Sequence, residues 1–218
     1  MRIGDLKRVF RILDDWSSEW TVPVVTLVAL TGKGPFRVLI SCLLSLRTQD
    51  ETTAGAVRRL FEVADTPGTI AALPVSRIEK LIYPVGFYKT KAGVLKRVSE
   101  DILRRHGGRV PDDMEELLRF KGVGRKTANL VLSEGFGQDA ICVDTHVHRI
   151  TNRWGLVQTP NPEATEFALR KVLPRPYWRT INKLLVAFGQ QHCRPLSPHC
   201  SLCRLTDVCP KIGVTRRR

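Results

Sequence analysis

The chain has 218 residues, 43% of them hydrophobic, which is enough to bury the core of one large domain or two small ones. Its 35 Lys and Arg residues outnumber its 21 Asp and Glu residues, which gives a formal net charge of +14. This charge indicates a nucleic acid as partner; the alternative is a basic protein kept soluble by its charge. The charged N-terminus excludes a secretory signal, and no apolar run is long enough to span a bilayer. We therefore expect an intracellular protein, in the cytoplasm or on the nucleoid, with no membrane contact.

Helical periodicity runs through the whole chain. Apolar residues at helical spacing predict an amphipathic helix over residues 1–16 and a core helix that begins near Phe36. Spacing, glycines and prolines predict further helices at about 51–63, 90–105, 145–154, 162–172 and 176–191. No stretch shows the sustained alternation of a strand, so the predicted fold class is all-α.

Capping signals mark several helix starts. Thr66 stands before a proline, and Asn161 does the same, so both residues are predicted N-caps. Ser76 and Glu79 have the spacing of a capping box for a helix that ends before Pro84.

A glycine hairpin, Gly122-Val123-Gly124, joins two predicted helices. Glycine permits positive φ and leaves backbone N–H groups uncovered. At a helix start these groups and the helix dipole bind anions, and Arg125 and Lys126 add positive charge there. The sequence therefore predicts a phosphate site that positions DNA without reading its bases. The alternative is a tight turn between two helices.

One aspartate, Asp144, follows Lys126 by 18 residues and comes directly after the uncharged run at 140–143. Taken alone, Asp144 could be the N-cap of the next helix, and Lys126 could be a surface lysine that binds phosphate. Both residues are also candidates for chemistry beside the hairpin.

Four of the six cysteines fall within 17 residues, with the spacing C-x6-C-x2-C-x5-C. They are Cys193, Cys200, Cys203 and Cys209. One close pair with a wide arm on each side favours a [4Fe–4S] cluster; zinc and disulfides are the alternatives. Cys42 and Cys142 lie in apolar runs and are predicted to be inert core residues.

The stretch LRFKGVGRKTANLVL, the later VDTH and the cysteine spacing together resemble the endonuclease III family of DNA glycosylases. The likeness extends from about Gly34 to Cys209. It implies a two-lobed helix-hairpin-helix DNA glycosylase fold with a C-terminal [4Fe–4S] cluster loop. Residues 28–138 would form a six-helix lobe, and 1–27 with 139–218 would form the cluster lobe, with DNA bound across the cleft between them.

The resemblance also implies roles for matching residues. Lys126 matches the nucleophile that attacks C1′ of the damaged nucleotide, and Asp144 matches the carboxylate that assists departure of the base. Gly122, Val123 and Gly124 match the phosphate-binding turn. The four clustered cysteines match the cluster ligands, and the loop after the first of them, with Arg194, is expected to rest against a phosphate.

Two residues depart from the family pattern. Arg47 stands where many members have a glutamine that fills the gap left by the flipped base, and Phe87 stands where they often have a leucine wedge. A guanidinium can stack in the vacated space, and a phenyl ring can intercalate. The alternatives are a phosphate contact for Arg47 and a core position for Phe87.

The expected function is that of a monomeric, bifunctional base-excision-repair enzyme acting on double-stranded DNA. It would remove oxidised pyrimidines and cleave the strand 3′ to the abasic site by β-elimination through a lysine Schiff base. One alternative is a monofunctional adenine or thymine mismatch glycosylase, a type that generally lacks lysine at the position of Lys126. The other is a non-catalytic iron–sulfur DNA-binding protein.

Overall fold

The computed structural model describes residues 3–32 and 34–218, and in these ranges all of the regular secondary structure is helical. No strand occurs among them, which confirms the predicted all-α class. None of these helices is long and apolar enough to cross a membrane. The α-helices in chain order are α1 (Leu6–Ser17), α2 (Val24–Leu30), α3 (Pro35–Ser45), α4 (Asp50–Val63), α5 (Pro67–Ala72), α6 (Val75–Ile82), α7 (Tyr88–His106), α8 (Met114–Leu118), α9 (Arg125–Leu130), α10 (Thr145–Arg153), α11 (Pro162–Val172) and α12 (Ile181–Gln191).

The residues fall into two compact units. The hairpin unit is Val24–Gln138, and the cysteine unit combines Asp139–Arg218 with the residues up to Pro23. Single turns of other helix types supplement the α-helices: a π-helix at Val131–Gly135 follows α9 directly, and 3-10 turns lie at Ile3–Asp5 and Arg175–Tyr177. The division into a six-helix lobe and a cluster lobe stays a prediction.

Helix α3 is the centre of the hairpin unit. Its first residue is Pro35, which is favoured in a first turn, and most of its side chains are buried, among them Leu39, Ile40 and Leu44. It packs against α2, α4, α7, α9 and the π-helical turn. The loop that follows α3 therefore starts from a firmly held helix end, and Arg47 lies in that loop.

Helix α7 packs one face of its 19 residues into the same core. The buried side chains of this face are Lys91, Ala92, Leu95, Val98, Ser99 and Ile102. The helix ends where Gly107 adopts φ +58°, a left-handed cap that glycine accommodates without strain. This end agrees with the sequence prediction.

Several helix starts differ from the prediction. The capping box at Ser76 and Glu79 is wrong, because α6 already begins at Val75 and its N-cap is Pro74, which has no side-chain cap bond. Thr66 does form a capping box, with Thr69, and Asn161 accepts a bond from the Ala164 N–H. The last helix begins at residue 181 instead of 176, because a 3-10 turn occupies the segment before it.

The cysteine unit is built on α1, α10, α11 and α12, which pack around one apolar core. Helix α1 contributes Trp16, which lies 5.9 Å from the Phe188 ring of α12 and 4.2 Å from the His192 ring, measured between centroids. Helix α12 ends at Gln191, so the core anchors the chain just before the cysteine segment.

Candidate functional site

The hairpin turn connects α8 and α9 and contains two glycines that differ in backbone conformation and in the space around them. Gly122 has φ +92°, and a Cβ built on it would lie 3.0 Å from Cγ1 of Val94. Val123 is buried, and its N–H donates to the carbonyl of Phe120 at 3.0 Å. Gly124 is exposed and is the N-cap of α9, with no atom near the place of a Cβ. The Val123 amide is thus used inside the turn, and the open surface of the hairpin lies at Gly124.

The start of α9 presents backbone N–H groups and positive side chains together. The first N–H groups of an α-helix have no intrahelical acceptor, and the N-cap glycine has no side chain to cover them. Arg125 is half-buried, and Lys126 is exposed at the second helical position. This combination can bind an anion with a primary amine beside it.

Substitution of the two hairpin glycines is expected to affect different properties, stability at Gly122 and DNA binding at Gly124. We expect Gly122→Ala to lower the free energy of unfolding by about 1–3 kcal/mol, because alanine is strained at positive φ and would press on Val94. We expect Gly124→Ala to cost under about 1 kcal/mol but to weaken DNA binding about 10-fold, because the methyl group covers the amide surface. Thermal melts and binding to an abasic duplex measure the two effects. Equal binding by Gly124→Ala and wild type would contradict a phosphate at this turn.

Asp144 is the N-cap of α10. Its Oδ1 accepts hydrogen bonds from the N–H groups of His146 and Val147, both at 2.9 Å, which confirms the predicted cap. The preceding segment is buried, and the Asn182 side chain donates to the carbonyl of Cys142 at 3.2 Å. These contacts fix a half-buried carboxylate in one orientation within the cysteine unit.

The four clustered cysteines line a single cavity in the cysteine unit. All six cysteines are free thiols, which disagrees with the disulfide alternative, and Cys42 and Cys142 are buried as predicted. Burial, with a smaller contribution from the neighbouring cysteines, raises the pKa of Cys203 to about 11. A thiol pKa this high means that deprotonation there requires a compensating positive charge, which a bound metal centre supplies.

A buried guanidinium lies beside this cavity. Arg153 is 8% exposed, and its Nη1 donates to Sγ of Cys193 at 3.3 Å and to the carbonyl of Arg194 at 2.7 Å. The Arg194 side chain is exposed on the loop between the first two cysteines. Four thiols around one cavity with a cationic donor fit an anionic, thiolate-bound cluster. Among the described residues no three His, Cys, Asp or Glu side chains converge on a single-ion site.

The structure brings Arg47 and Phe87 together although they are 40 residues apart. The Arg47 guanidinium carbon lies 5.7 Å from the centroid of the Phe87 ring, and both residues have left-handed backbones, with φ of 53° and 58°. Phe87 is 63% exposed, so the core alternative for it is wrong. The sequence reasoning missed the buried Lys91 that lies behind this pair. Its signal was its place on the apolar stripe of α7.

Comparison with known proteins identifies the family. Residues 40–175, more than half of the chain, match the model of the HhH-GPD superfamily base excision DNA repair proteins. Endonuclease III of Thermotoga maritima is 50% identical over 175 residues, which cover 80% of this chain and 82% of that protein. The chloroplastic endonuclease III homolog 2 of Arabidopsis thaliana is 47% identical over 184 residues, and the match spans about half (48%) of its length.

A solved structure agrees with the sequence relatives. A trapped covalent intermediate of endonuclease III with DNA has a TM-score of 0.83 and 30% identity, with 97% of each chain covered. The sequence identity of 50% to the bacterial relative is higher than a shared fold alone produces, and the family model matches more than half of the chain. The chain therefore belongs to the HhH-GPD superfamily of base excision DNA repair proteins and, within it, to the endonuclease III family.

Proposed function

We propose that this chain is a bifunctional DNA glycosylase that removes oxidised pyrimidines and then cleaves the abasic strand. The family supplies the general activity, a DNA glycosylase with lyase action at abasic sites. The observation that carries the bifunctional mechanism is Lys126, an exposed primary amine in the first turn of α9, directly after the glycine hairpin. In a monofunctional mismatch glycosylase, an amine at this place would serve only to bind phosphate.

DNA binding begins at the phosphate backbone. The N–H groups at the start of α9 hold one phosphate, with Gly124 leaving room for its approach and Arg125 adding charge. This contact sets the position of the duplex without selecting a sequence. The other basic residues strengthen binding to any DNA, so we expect affinity to fall steeply with salt.

The target nucleotide must leave the base stack before it can react. Flipping costs a few kcal/mol and is least costly for a damaged, poorly stacked base. Phe87 enters the duplex as an apolar wedge, and Arg47 fills the space of the flipped base by stacking and hydrogen bonding. The exposure of both side chains and their mutual contact support these roles.

The chemistry then takes place at one sugar carbon. The neutral amine of Lys126 forms a bond to C1′ while the bond from C1′ to the base breaks, and Asp144 stabilises the positive charge that develops on the sugar and assists departure of the base. Opening of the sugar ring gives a Schiff base. Loss of a C2′ proton then expels the 3′ phosphate, which breaks the strand 3′ to the lesion. Water hydrolyses the Schiff base and releases the lysine.

The four clustered cysteines hold a [4Fe–4S] cluster on this proposal. Their common cavity, the guanidinium of Arg153 and the family membership support it. The four cysteines would hold the cluster and thereby fix the loop between Cys193 and Cys200, on which the exposed Arg194 would contact a DNA phosphate.

Metal analysis tests the cofactor. Protein purified without air is expected to be brown and to contain about four iron and four sulfide per chain. Cys200→Ser is expected to lose the colour and weaken DNA binding. Cys42→Ala, which removes a buried thiol from the other unit, is expected to keep the colour. A colourless wild-type protein loaded with zinc would refute the cluster.

Borohydride trapping on a panel of lesion duplexes tests the function. We expect a covalent adduct with thymine glycol and with an abasic site, opposite each of the four bases in turn. Reaction confined to adenine or thymine in mismatches, without an adduct, would establish the monofunctional alternative. The protein is proposed to act as a monomer on nucleoid DNA, which sedimentation of the trapped adduct, with one chain per duplex, can check.

A further inference from the structure

Lys91 is a buried cation with three neutral acceptors. Its side chain lies in the core of the hairpin unit, with the residue only 9% exposed. Its Nζ donates to the carbonyls of Leu44 and Leu46, at 2.7 and 2.6 Å, and to Oγ1 of Thr48 at 3.1 Å. An ammonium has three N–H donors, so these contacts use its full capacity.

The acceptors lie at the end of α3 and in the loop that carries Arg47. The last carbonyls of a helix have no intrahelical donor, and a positive charge at this end is favourable. Burial opposes the charge and lowers the pKa of Lys91 to about 8, but the three hydrogen bonds favour the ammonium. Lys91 therefore performs the capping of α3 from a different helix.

The same contacts tie this loop to the start of α7. Oγ1 of Thr48 also accepts the N–H of Gly86 at 3.2 Å. A Cβ on Gly86 would lie 2.7 Å from the Arg47 carbonyl oxygen. The two backbones therefore approach so closely that only glycine fits at position 86. The backbone N–H of Lys91 in turn donates a hydrogen bond to the carbonyl of Phe87 at 2.9 Å.

Both residues held by these contacts are strained. Among the described residues only three other than glycine have positive φ, and two of them are Arg47 and Phe87. Each such conformation costs roughly 1–3 kcal/mol and persists only where the surroundings enforce it. Lys91, Thr48 and Gly86 supply that enforcement directly beneath the exposed pair.

We propose that Lys91 is a positioning residue that holds Arg47 and Phe87 as a preformed pair, ready to open the duplex at the damaged base. The inference rests on the proposed function, because it assigns to Lys91 the support of residues that unstack DNA. It follows that the step in which a base must be displaced depends on Lys91, whereas cleavage at a site that has already lost its base depends on it far less.

Lys91→Met tests this, because methionine retains most of the side-chain length and removes the ammonium. On a thymine glycol duplex with 2-aminopurine beside the lesion, we expect single-turnover base removal to fall at least about 10-fold, since a misplacement of about 1 Å can cost ~10²-fold. The 2-aminopurine signal of unstacking falls with it, as it also does in Phe87→Ala. Strand cleavage at a preformed abasic site in the same sequence changes by less than about 3-fold.

Lys96→Met is the matched control. Lys96 lies on the same helix, and its Nζ donates to the carbonyls of Ala71 and Leu73 at the end of α5, away from Arg47 and Phe87. We expect it to lose stability in a thermal melt while base removal stays within about 3-fold of wild type. A similar loss of base removal in this control would show a general effect of weakened packing and overturn the inference.

A second variant decides the matter if Lys91→Met does not fold. Thr48→Val removes the oxygen shared by Lys91 and Gly86 and leaves the buried ammonium two of its acceptors. The inference requires the same selective loss of base removal in this variant. Equal loss of both rates, or no loss, overturns it. Wild-type protein that is inactive on both duplexes would refute the proposed function instead.

Discussion

Replacement of Lys126 by glutamine is expected to abolish strand cleavage and leave DNA binding largely intact. Glutamine is polar and only one atom shorter than lysine, but it has no amine to form a Schiff base, so the cleavage rate falls at least about 10³-fold. Because Lys126 is exposed, the free energy of unfolding changes by only about 0.5 kcal/mol. Single-turnover cleavage and equilibrium binding on one abasic duplex measure the two effects.

Lys121→Gln is the control for the lost charge. Lys121 is also exposed and lies directly before the hairpin, five residues before Lys126. We expect this variant to bind DNA more weakly, by one phosphate contact at most, and to retain both strand cleavage and the covalent adduct. Cleavage by Lys126→Gln at the wild-type rate would assign the amine to phosphate binding and remove it from the chemistry.

Asp144→Asn is expected to inactivate base removal without weakening the fold. Asparagine caps helices as well as aspartate does, so the bonds from His146 and Val147 persist and α10 stays in place. The substitution removes the negative charge, which we expect to lower the rate of base removal about 10²–10⁴-fold. Asp144→Ala would lose the cap as well, at about 1 kcal/mol of stability. Single-turnover glycosylase rates and thermal melts separate charge from capping.

Asp113→Asn provides the comparison at a second cap. Asp113 is the N-cap of α8, and its Oδ1 accepts the N–H groups of Glu115 and Glu116 at 2.9 and 3.0 Å, the same arrangement as at Asp144. We expect wild-type base removal from this variant. If Asp144→Asn also retained base removal, Asp144 would be a cap alone.

Much of the hairpin unit could be predicted because its signals are local. The end of α7 at Gly107, the cap at Thr66 and the turn at Gly122 each depend on the conformational limits of one or two residues. The box expected at Ser76 failed for a local reason too, since the helix starts from the extended Pro74 and Ser76 therefore lies inside it, past the N-cap position.

The support of the candidate site could not be predicted, because it depends on contacts between distant segments. Lys91 donates a hydrogen bond to the carbonyl of Leu44, 47 positions earlier in the chain. The residues next to Lys91 in the sequence give no sign of this acceptor. Its place on the apolar stripe of α7 indicated burial, but only the fold shows what it holds.

The pairing of Arg47 with Phe87 is a similar case. Resemblance to the family singled out each position, and exposure alone would fit many surface residues. The left-handed backbones and the 5.7 Å approach come from the closeness of two loops, which sequence spacing does not encode. Spacing did identify the cysteines as a group, and the fold places all four around one cavity.

The most direct test of the account is to locate the covalent bond to DNA. Wild-type protein is reduced with borohydride during reaction with a thymine glycol duplex, digested, and mapped by mass spectrometry. We predict a single adduct on the peptide that contains Lys126, formed at the rate of strand cleavage and missing in Lys126→Gln. Cleavage without any adduct, or an adduct on another amine, would contradict the central claim that this lysine performs the chemistry.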